Sequence, residues 1–217
     1  MPTMNEAIQK KLEKFFTQYK KRQYKKGEIL IRADDDPSGI FYLQQGAVKM
    51  YLISRNGDEL VLNLFKPISF FPMSWGVNDS PNLYYFEAMD DVVVWRAPRA
   101  EVLTFLKENP DAVYDLLIRL YRGLDGVLTR MAYLMAGNAY ARLITELIII
   151  AKRFGIAGRD GIQFTITEKD LSASAGMTRE TVSREMKVLK DKGLVTFHKN
   201  VLQVHDIDEL EKELSRD

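Results

Sequence analysis

A seven-residue repeat of apolar side chains, held between Asp111 and Met135, constrains the fold of this 217-residue chain more than any other feature. The apolar positions fall alternately four and three residues apart, which is the spacing of the a and d positions of a coiled coil. They are Val113, Leu117, Leu120, Leu124, Val127, Met131 and Leu134. A long helix with this period buries its stripe best against a second helix of the same kind. The repeat therefore predicts a homodimer that is joined along this helix.

The chain before this helix has a different texture, with short apolar and β-branched runs between turn signals from Tyr24 to Trp95. Asn56-Gly57 is a typical two-residue hairpin turn, because both of its central positions need a positive φ. A short helix over residues 5–19 precedes these runs. Many short strands at this spacing favour an antiparallel β-barrel or jelly roll. The predicted strands are Glu28–Arg32, Gly39–Leu43, Ala47–Ile53, Glu59–Phe65, Leu83–Ala88 and Val92–Arg96.

Two charged runs lie in this part of the chain. We interpret the basic run Lys20-Lys21-Arg22 as solvated surface, and the acidic triplet Asp34–Asp36 as a loop tip rather than a site for a hard cation. The formal net charge of the whole chain is only +1. A role with nucleic acid therefore requires a local patch of cations rather than bulk charge.

A helix-turn-helix signature begins at Thr167, a residue type that suits an N-cap. Gly176 supplies a tight turn between two short helices, and Thr178 caps the second helix. The second helix has an apolar face that consists of Val182, Met186 and Leu189. Two further runs, Leu194–Phe197 and Val201–His205, are predicted to form a two-stranded wing.

The polar face of the second helix carries the predicted site. Arg179 and Arg184 present guanidinium forks that match guanine O6 and N7, and Glu180 can accept a hydrogen bond from the cytosine amino group. Between residues 179 and 199 six basic residues stand against three acidic ones, so the positive charge is concentrated here. The side chains predicted to contact DNA phosphates are Thr178, Thr181, Ser183, Lys187 and Lys199.

Gly137-Asn138 separates the long helix from this second half of the chain. Asn138 suits the N-cap of a new helix over Ala139–Phe154, so the dipeptide is predicted to be a boundary and a hinge. The fold class is predicted as α+β with three segments. They are an antiparallel β-barrel that serves as an effector or sensor domain (1–109), a dimerisation helix (110–136) and a winged helix-turn-helix (137–217).

The run Arg179-Glu180-Thr181-Val182-Ser183-Arg184 resembles the recognition helix of the CRP/FNR superfamily of transcription regulators, and Asn109-Pro110-Asp111 is similar to that family as well. The resemblance extends over nearly the whole chain, since barrel, long helix and winged helix-turn-helix follow in the family's order. It implies a cyclic-nucleotide-binding-like barrel and a homodimer that regulates transcription. It also implies that Arg179, Glu180 and Arg184 read bases in a palindrome with TGTGA-like half-sites. Ser183 matches the oxygen-sensing branch, so TTGA-like half-sites stay open.

The barrel departs from the family's cyclic-nucleotide pattern, because no Arg or Lys lies between Lys66 and Arg96. A buried cyclic phosphate without a cationic partner would be poorly held. The chain has no cysteine, which excludes an iron–sulfur sensor, and both histidines, His198 and His205, lie in the predicted wing. We therefore expect no cyclic nucleotide, metal or cofactor.

An aromatic cluster in the barrel is the remaining candidate for an effector pocket. It consists of Phe70, Phe71, Trp75, Tyr84 and Tyr85. Such a cluster can form a pocket for a small apolar or aromatic effector, and it can equally be core packing. Regulation without any effector also stays open.

The sequence contains no phosphate loop, nucleophile elbow or metal-binding histidine pair, so we do not expect an enzyme. It contains neither a signal peptide nor an apolar run long enough for a bilayer, so we expect a cytoplasmic protein without membrane contact. The predicted partners are double-stranded DNA and a second copy of the chain, and an RNA polymerase contact stays open. The alternative hypothesis is a ligand-binding regulatory module that acts on a protein partner.

Overall fold

The computed structural model describes residues 6–55 and 57–214, so Asn56 of the predicted hairpin turn lies outside the described residues. The chain divides into two compact units, Met1–Tyr121 and Arg122–Asp217. The division falls inside the longest helix, α4 (Pro110–Ala136). Its N-terminal part packs in the first unit and its C-terminal part in the second. The three-segment division stays a prediction about function, since the compact units do not follow it.

The first unit contains eight strands in two antiparallel four-stranded sheets, with strand orders β1-β8-β3-β6 and β2-β7-β4-β5. This arrangement confirms the predicted barrel. The strands are β1 (Lys20–Tyr24), β2 (Ile29–Ile31), β3 (Ile40–Gln45), β4 (Val48–Ile53), β5 (Glu59–Phe65), β6 (Phe70–Phe71), β7 (Tyr85–Ala88) and β8 (Val92–Ala97).

Six of these strands correspond to predicted runs, and β1 and β6 were not predicted. The basic run that we interpreted as solvated surface is β1, which pairs with β8 along its whole length. Lys20 and Lys21 are exposed, but Arg22 is half-buried, so that interpretation is wrong for Arg22. Strand pairing with the valine-rich β8 outweighs the weak strand propensity of consecutive basic residues.

The inner faces of the two sheets form one aromatic and aliphatic core. Phe71 stacks on Phe86 with ring centroids 5.1 Å apart, and Phe41 lies 6.0 Å from Phe71 on its other side. Val92 and Val94 of β8 complete this layer and are at most 1% exposed. Side chains from both sheets therefore fill the barrel, which leaves its centre packed.

Helices cover the outer face of the first sheet. They are α1 (Glu6–Phe16), α2 (Met73–Asn78), α3 (Arg99–Glu108) and the start of α4. Phe16 stacks on Tyr42 with ring centroids 4.9 Å apart, and Val102 and Ala112 belong to the same buried cluster. α1 confirms the predicted N-terminal helix, whereas α2 and α3 were not predicted.

The second unit combines the C-terminal part of α4 with α5 (Ala139–Phe154), α6 (Glu168–Ala175), α7 (Arg179–Asp191), α8 (Ile207–Leu214) and a four-stranded sheet. The strand order of the sheet is β11-β12-β10-β9. The strands are β9 (Ile156–Gly158), β10 (Gly161–Thr165), β11 (Val195–His198) and β12 (Val201–Val204). The predicted two-stranded wing is therefore half of a larger sheet, in which β10 pairs with β12 along four residues.

α5 forms the centre of the second unit, with Leu143, Ile144 and Leu147 fully buried. Its start confirms the predicted cap, since the Asn138 side chain accepts a hydrogen bond of 2.8 Å from the Ala141 backbone N–H. Among the described residues, no helix combines the length and the apolarity that a membrane span requires.

Candidate nucleic-acid interface

The turn between α6 and α7 has the geometry that its sequence predicts. The hydroxyl of Thr167 accepts a hydrogen bond of 3.0 Å from the Asp170 backbone N–H and so caps α6. Leu171 and Ala175 are buried on the inner face of α6. Gly176 then adopts the left-handed conformation, with φ 60°, which favours glycine because any Cβ is strained there. These local features place α7 directly after the turn.

α7 is fixed to the unit through one face. Thr178 caps it, accepting a hydrogen bond of 3.2 Å from the Thr181 backbone N–H. Val182, Met186 and Leu189 are at most 1% exposed. Because these three positions recur every three or four residues, the residues between them must face away from the core.

The outward face of α7 carries the three predicted base readers. Arg179, Glu180 and Arg184 are all exposed, and so are Ser183 and Lys187. Because all five are exposed on one helix, a flat or grooved partner can approach all of them together. The arrangement is that of a helix whose polar face is presented to a surface outside the protein.

The carboxylate of Glu180 is prepared to accept a hydrogen bond. Its own backbone N–H and the hydroxyl of Thr178 bond to it, and together with the charge of Arg179 they lower the pKa of Glu180 below its ordinary value. The side chain therefore stays ionised at neutral pH and acts only as an acceptor.

Arg184 is not free, which the sequence analysis did not foresee. Its Nε donates to one carboxylate oxygen of Glu185 at 3.0 Å, and a terminal nitrogen of the same guanidinium lies 2.9 Å from that oxygen in an ion pair. The side chain of Arg184 remains 69% exposed, while that of Glu185 is 13% exposed. Glu185 therefore fixes the Nε side of the Arg184 guanidinium, and the rest of that group remains exposed.

The predicted phosphate contacts occupy two places. Thr178 is exposed, whereas Thr181 is half-buried and its hydroxyl lies 3.1 Å from that of Thr178. Lys199 is exposed at the turn between β11 and β12, where it and Asn200 adopt φ values of 48° and 66°. This two-residue turn with both φ values positive is a tight hairpin that projects Lys199 at the tip of the wing.

The predicted dimer seam is exposed in the single chain. Between 42% and 64% of the surface of each seam residue is exposed among Val113, Leu117, Leu120, Leu124, Val127 and Met131. The side chain of Leu134 lies outside the described residues. Further large side chains that were not predicted extend this apolar surface, and they are Tyr114, Tyr121, Leu128 and Met135.

The predicted hinge at Gly137-Asn138 is spanned by a buried ion pair. Arg130 of α4 donates to both carboxylate oxygens of Glu146 in α5, at 2.5 Å and 2.8 Å. Burial raises the pKa of the Glu146 carboxyl, and Arg130 opposes that effect. The pair ties the C-terminal part of α4 to α5 on either side of the dipeptide. A hinge at Gly137-Asn138 stays a prediction.

The structure divides the five residues of the predicted aromatic pocket among different packing clusters. Phe71 belongs to the barrel core, which Tyr84 borders, while Phe70 and Trp75 belong to the outer cluster beneath the helices. Tyr85 stacks on Tyr51 instead, with ring centroids 5.2 Å apart. The prediction of a shared pocket is therefore wrong, because neighbouring residues on a strand point to opposite faces of the sheet.

In the family pattern, the stretch of chain that includes Asn82 holds the cyclic phosphate. In this chain the Asn82 side chain stabilises the backbone instead. The buried side chain of Asn82 donates from its Nδ2 to the carbonyls of Arg32 and Tyr84, both at 2.8 Å. No group of three His, Asp or Glu side chains within the described parts of the chain could hold a metal ion.

Comparisons with known proteins agree with both units. Residues 21–109 match the family described as cyclic nucleotide-binding domain, and residues 141–213 match the Crp-like helix-turn-helix domain. The chain is 26% identical over 190 residues to the global nitrogen regulator of Nostoc sp., covering 84% of this chain and 83% of that protein. It is 24% identical to the cAMP-activated global transcriptional regulator CRP of Pasteurella multocida, over 92% and 96% of the two chains.

Solved structures share the fold. The c-di-GMP responsive global regulator CLP of Xanthomonas campestris superposes with a TM-score of 0.79 at 17% identity, over 93% of this chain and all of that one. A CooA mutant from Carboxydothermus hydrogenoformans gives a TM-score of 0.76 at 20% identity, over 92% and 89% of the two chains. With a cyclic nucleotide-binding domain followed by a Crp-like helix-turn-helix, the chain belongs to the CRP/FNR family of transcription regulators.

Proposed function

We propose that the protein regulates transcription as a homodimer that binds a palindromic site in double-stranded DNA through α7 of each protomer. One observation carries the proposal. Arg179, Glu180 and Arg184 all lie exposed on a helix whose opposite face is completely buried. A helix with this shape and charge fits the major groove of B-DNA, which is about 12 Å wide.

The three side chains offer a specific reading of bases. A guanidinium fork recognises guanine through two acceptors, and a carboxylate recognises the amino group of cytosine. Two arginines and one glutamate on a single helix therefore favour G·C pairs at the positions that they contact. The family resemblance implies half-sites of the TGTGA-like or TTGA-like kind. Glu185 supports the recognition of guanine by Arg184, because it restricts the Arg184 side chain to one direction before DNA binds.

Phosphate contacts would fix the helix in the groove. Thr178, Thr181 and Ser183 carry hydroxyls near the N-terminus of α7, where the helix dipole favours an anion. Lys187 continues this row, and Lys199 would reach the backbone from the tip of the wing. These contacts supply affinity that depends on salt rather than on sequence.

The homodimer rests on the exposed apolar stripe of α4. A stripe with a coiled-coil period, left 42–64% exposed over six positions, requires a cover of the same length and period. A second copy of α4 supplies one by symmetry. Two copies of α7 placed about 34 Å apart would then face successive major grooves. In this scheme residues 1–109 sense an effector, 110–136 join the protomers, and 137–217 bind DNA. A hinge at Gly137-Asn138 and a contact with RNA polymerase would complete the regulator.

Selection from a random duplex library tests the sequence specificity. We expect the full chain to enrich an inverted repeat whose half-sites contain G·C pairs at the positions of Arg179, Glu180 and Arg184. Arg184→Ala should weaken binding to the enriched site by about 1–3 kcal/mol and relax the preference at one position of each half-site. Fluorescence anisotropy at fixed salt measures both effects.

Lys212→Ala is a matched control, because Lys212 is an exposed cation of the same unit that pairs with Glu209 in α8. Its affinity for the enriched site should equal that of the unmodified chain. Enrichment of no motif, or equal losses in the two variants, would leave only non-specific charge and would refute specific recognition.

Sedimentation equilibrium tests the dimer. Leu124→Glu places a charge in the centre of the apolar stripe of α4 and should shift the chain to a monomer, since burying two unpaired carboxylates costs several kcal/mol. Glu108→Gln in α3, outside the stripe, should leave the dimer intact. A monomeric unmodified chain at concentrations where it binds DNA would contradict this part of the proposal.

A further inference from the structure

The first unit contains an open cavity whose lining includes none of the five residues of the predicted effector pocket. Its volume is about 210 Å³, which is smaller than the range of about 300–1,000 Å³ typical of drug-sized sites. β1, β2, β3, β8 and the loop after β2 form its walls. Three arginines, Arg22, Arg32 and Arg96, line it together with the two acidic residues Asp35 and Asp36.

Strand register explains why two of these arginines meet. Arg22 of β1 lies opposite Val94 of β8, and Arg96 lies opposite Phe41 of β3. Residues directly opposite one another in a sheet share a face, and Val94 and Phe41 both belong to the barrel core. Arg22 and Arg96 are therefore diagonal neighbours on the inner face of the sheet. Arg32 follows the end of β2 and approaches from the second sheet.

The protein leaves these cations uncompensated. Within the described residues, none of the three arginines forms an ion pair. The Nε–H of Arg22 is shielded from solvent and has no acceptor in that same part of the chain. The guanidinium of Arg22 is therefore held at the wall of the cavity without a carboxylate of the described chain bonded to it, so its positive charge is available to an anion.

The acidic residues do not cancel the positive charge. One carboxylate oxygen of Asp36 accepts a hydrogen bond of 2.8 Å from the Ser38 backbone N–H, which fixes it at the rim. Three guanidinium groups against two carboxylates leave a net charge of +1 around the cavity. The carboxylates and the Ser38 hydroxyl are suited to hydroxyl groups of a ligand whose anionic end meets the arginines.

We propose that this cavity binds a small oxyanion, the phosphate or carboxylate group of a hydroxylated metabolite, through Arg22, Arg32 and Arg96. Guanidinium forks match the geometry of both oxyanions and hold them by two parallel hydrogen bonds. Ile31 and Phe41 of the barrel core also line the cavity, and its volume of about 210 Å³ suits a small molecule rather than the surface of a macromolecule. The proposal concerns the first unit alone and does not depend on DNA recognition.

Isothermal titration of the full chain with inorganic phosphate and with succinate tests the site. We expect saturable binding of at least one of them, with one ion bound per chain. Arg22→Gln and Arg96→Gln should each weaken that binding at least about tenfold, because each removes a charge-assisted hydrogen bond. Phosphate binding alone would assign a phosphoryl group to the natural ligand, and succinate binding alone a carboxylate.

Lys21→Gln is the matched control, because Lys21 lies on the same strand with the same charge but on its outer face, near the Trp95 ring. Its affinity should stay within about twofold of the original, as expected for an exposed charge. If Arg22→Gln does not melt cooperatively, Arg32→Gln replaces it, since Arg32 is exposed and outside the strands. No saturable binding of either ion, or equal weakening by Lys21→Gln, would overturn the proposal.

Discussion

The second unit contains two Arg–Glu pairs with the same chemistry and opposite surroundings. Arg130 and Glu146 bridge α4 and α5, with side chains only 14% and 4% exposed. Arg184 and Glu185 are neighbours on α7, and the arginine is 69% exposed. The first pair has lost its water and is held by the fold, whereas the second keeps its water on the arginine side. The buried pair therefore stabilises the fold, whereas the exposed arginine remains available to a partner.

The two pairs differ physically in what can bind the arginine when its glutamate moves away. Arg184 can exchange Glu185 for water at little cost, because exposed ion pairs contribute about 0–1 kcal/mol. Arg130 is largely buried, so water replaces Glu146 there less readily. Burial is the main cause that lowers the pKa of Arg153, and the charge of Arg130 lowers it further. Opening the buried pair would leave two cations in a site of low polarity.

The largest expected effect is therefore at Glu146. Glu146→Ala should lower the free energy of unfolding by about 3–5 kcal/mol, because it removes the carboxylate that binds the buried Arg130 through both oxygens. Glu185→Ala is the matched control and should change stability by no more than about 0.5 kcal/mol. Urea denaturation followed by circular dichroism measures both. Equal shifts in the two variants would abolish the distinction between the pairs.

A second variant of the buried pair separates the charge of Glu146 from its shape and should have a smaller effect on stability. Glu146→Gln keeps the volume of the side chain and one acceptor but removes its charge, so we expect a loss of about 1–3 kcal/mol. The same denaturation series measures it. A loss as large as that of Glu146→Ala would show that charge alone matters, and no loss would show that the pair contributes only packing.

A still smaller effect is expected for Glu185 in DNA binding. Glu185→Ala removes a carboxylate near the phosphates and releases Arg184, so non-specific affinity should rise by about 0.5–1 kcal/mol. Discrimination between the enriched site and random duplex should fall, since Arg184 loses its fixed direction. Competition anisotropy measures the ratio of the two affinities. A ratio that rises would mean that Glu185 hinders Arg184 rather than orienting it.

The smallest expected effect is that of pH on the exposed face of α7. Hydrogen bonds from its own backbone N–H and from Thr178 lower the pKa of Glu180, so its carboxylate loses its charge only below the ordinary glutamate range. Discrimination at the cytosine position should stay constant from about pH 8 down to about pH 5.5. Anisotropy on the enriched site and on a variant at that position provides the test. A decline near pH 6 would contradict a preorganised carboxylate.

Local signals in the sequence were reliable wherever one segment decides its own structure. The caps at Asn138, Thr167 and Thr178 and the left-handed Gly176 depend on residues within one helical turn, and all four are as predicted. The short strands β9 and β10 gave no comparable signal, because their stability comes from pairing with other strands, β10 with β12 and β9 with β10. α8 was missed as well, since it is short and depends on packing against α5.

Layer assignment is where sequence reasoning failed. Phe70 and Phe71 are adjacent and equally apolar, yet one packs outside the first sheet and the other inside the barrel. A strand as short as β6 has no periodicity to show which face is which. The prediction that Arg22 is solvated surface was wrong for a related reason. A run of basic residues gives no sign that one of its members faces inward.

Helical periodicity assigns a direction to every side chain along one segment, so the stripe of α4 and the outward face of α7 can be read directly from the order of residues. The folded chain is needed to show that Arg22, Arg32 and Arg96 line one cavity and that Glu146 pairs with Arg130. These groups lie up to 74 residues apart along the chain, and no local rule relates them. Their proximity follows from strand register and helix packing, which are set by the burial of the whole core.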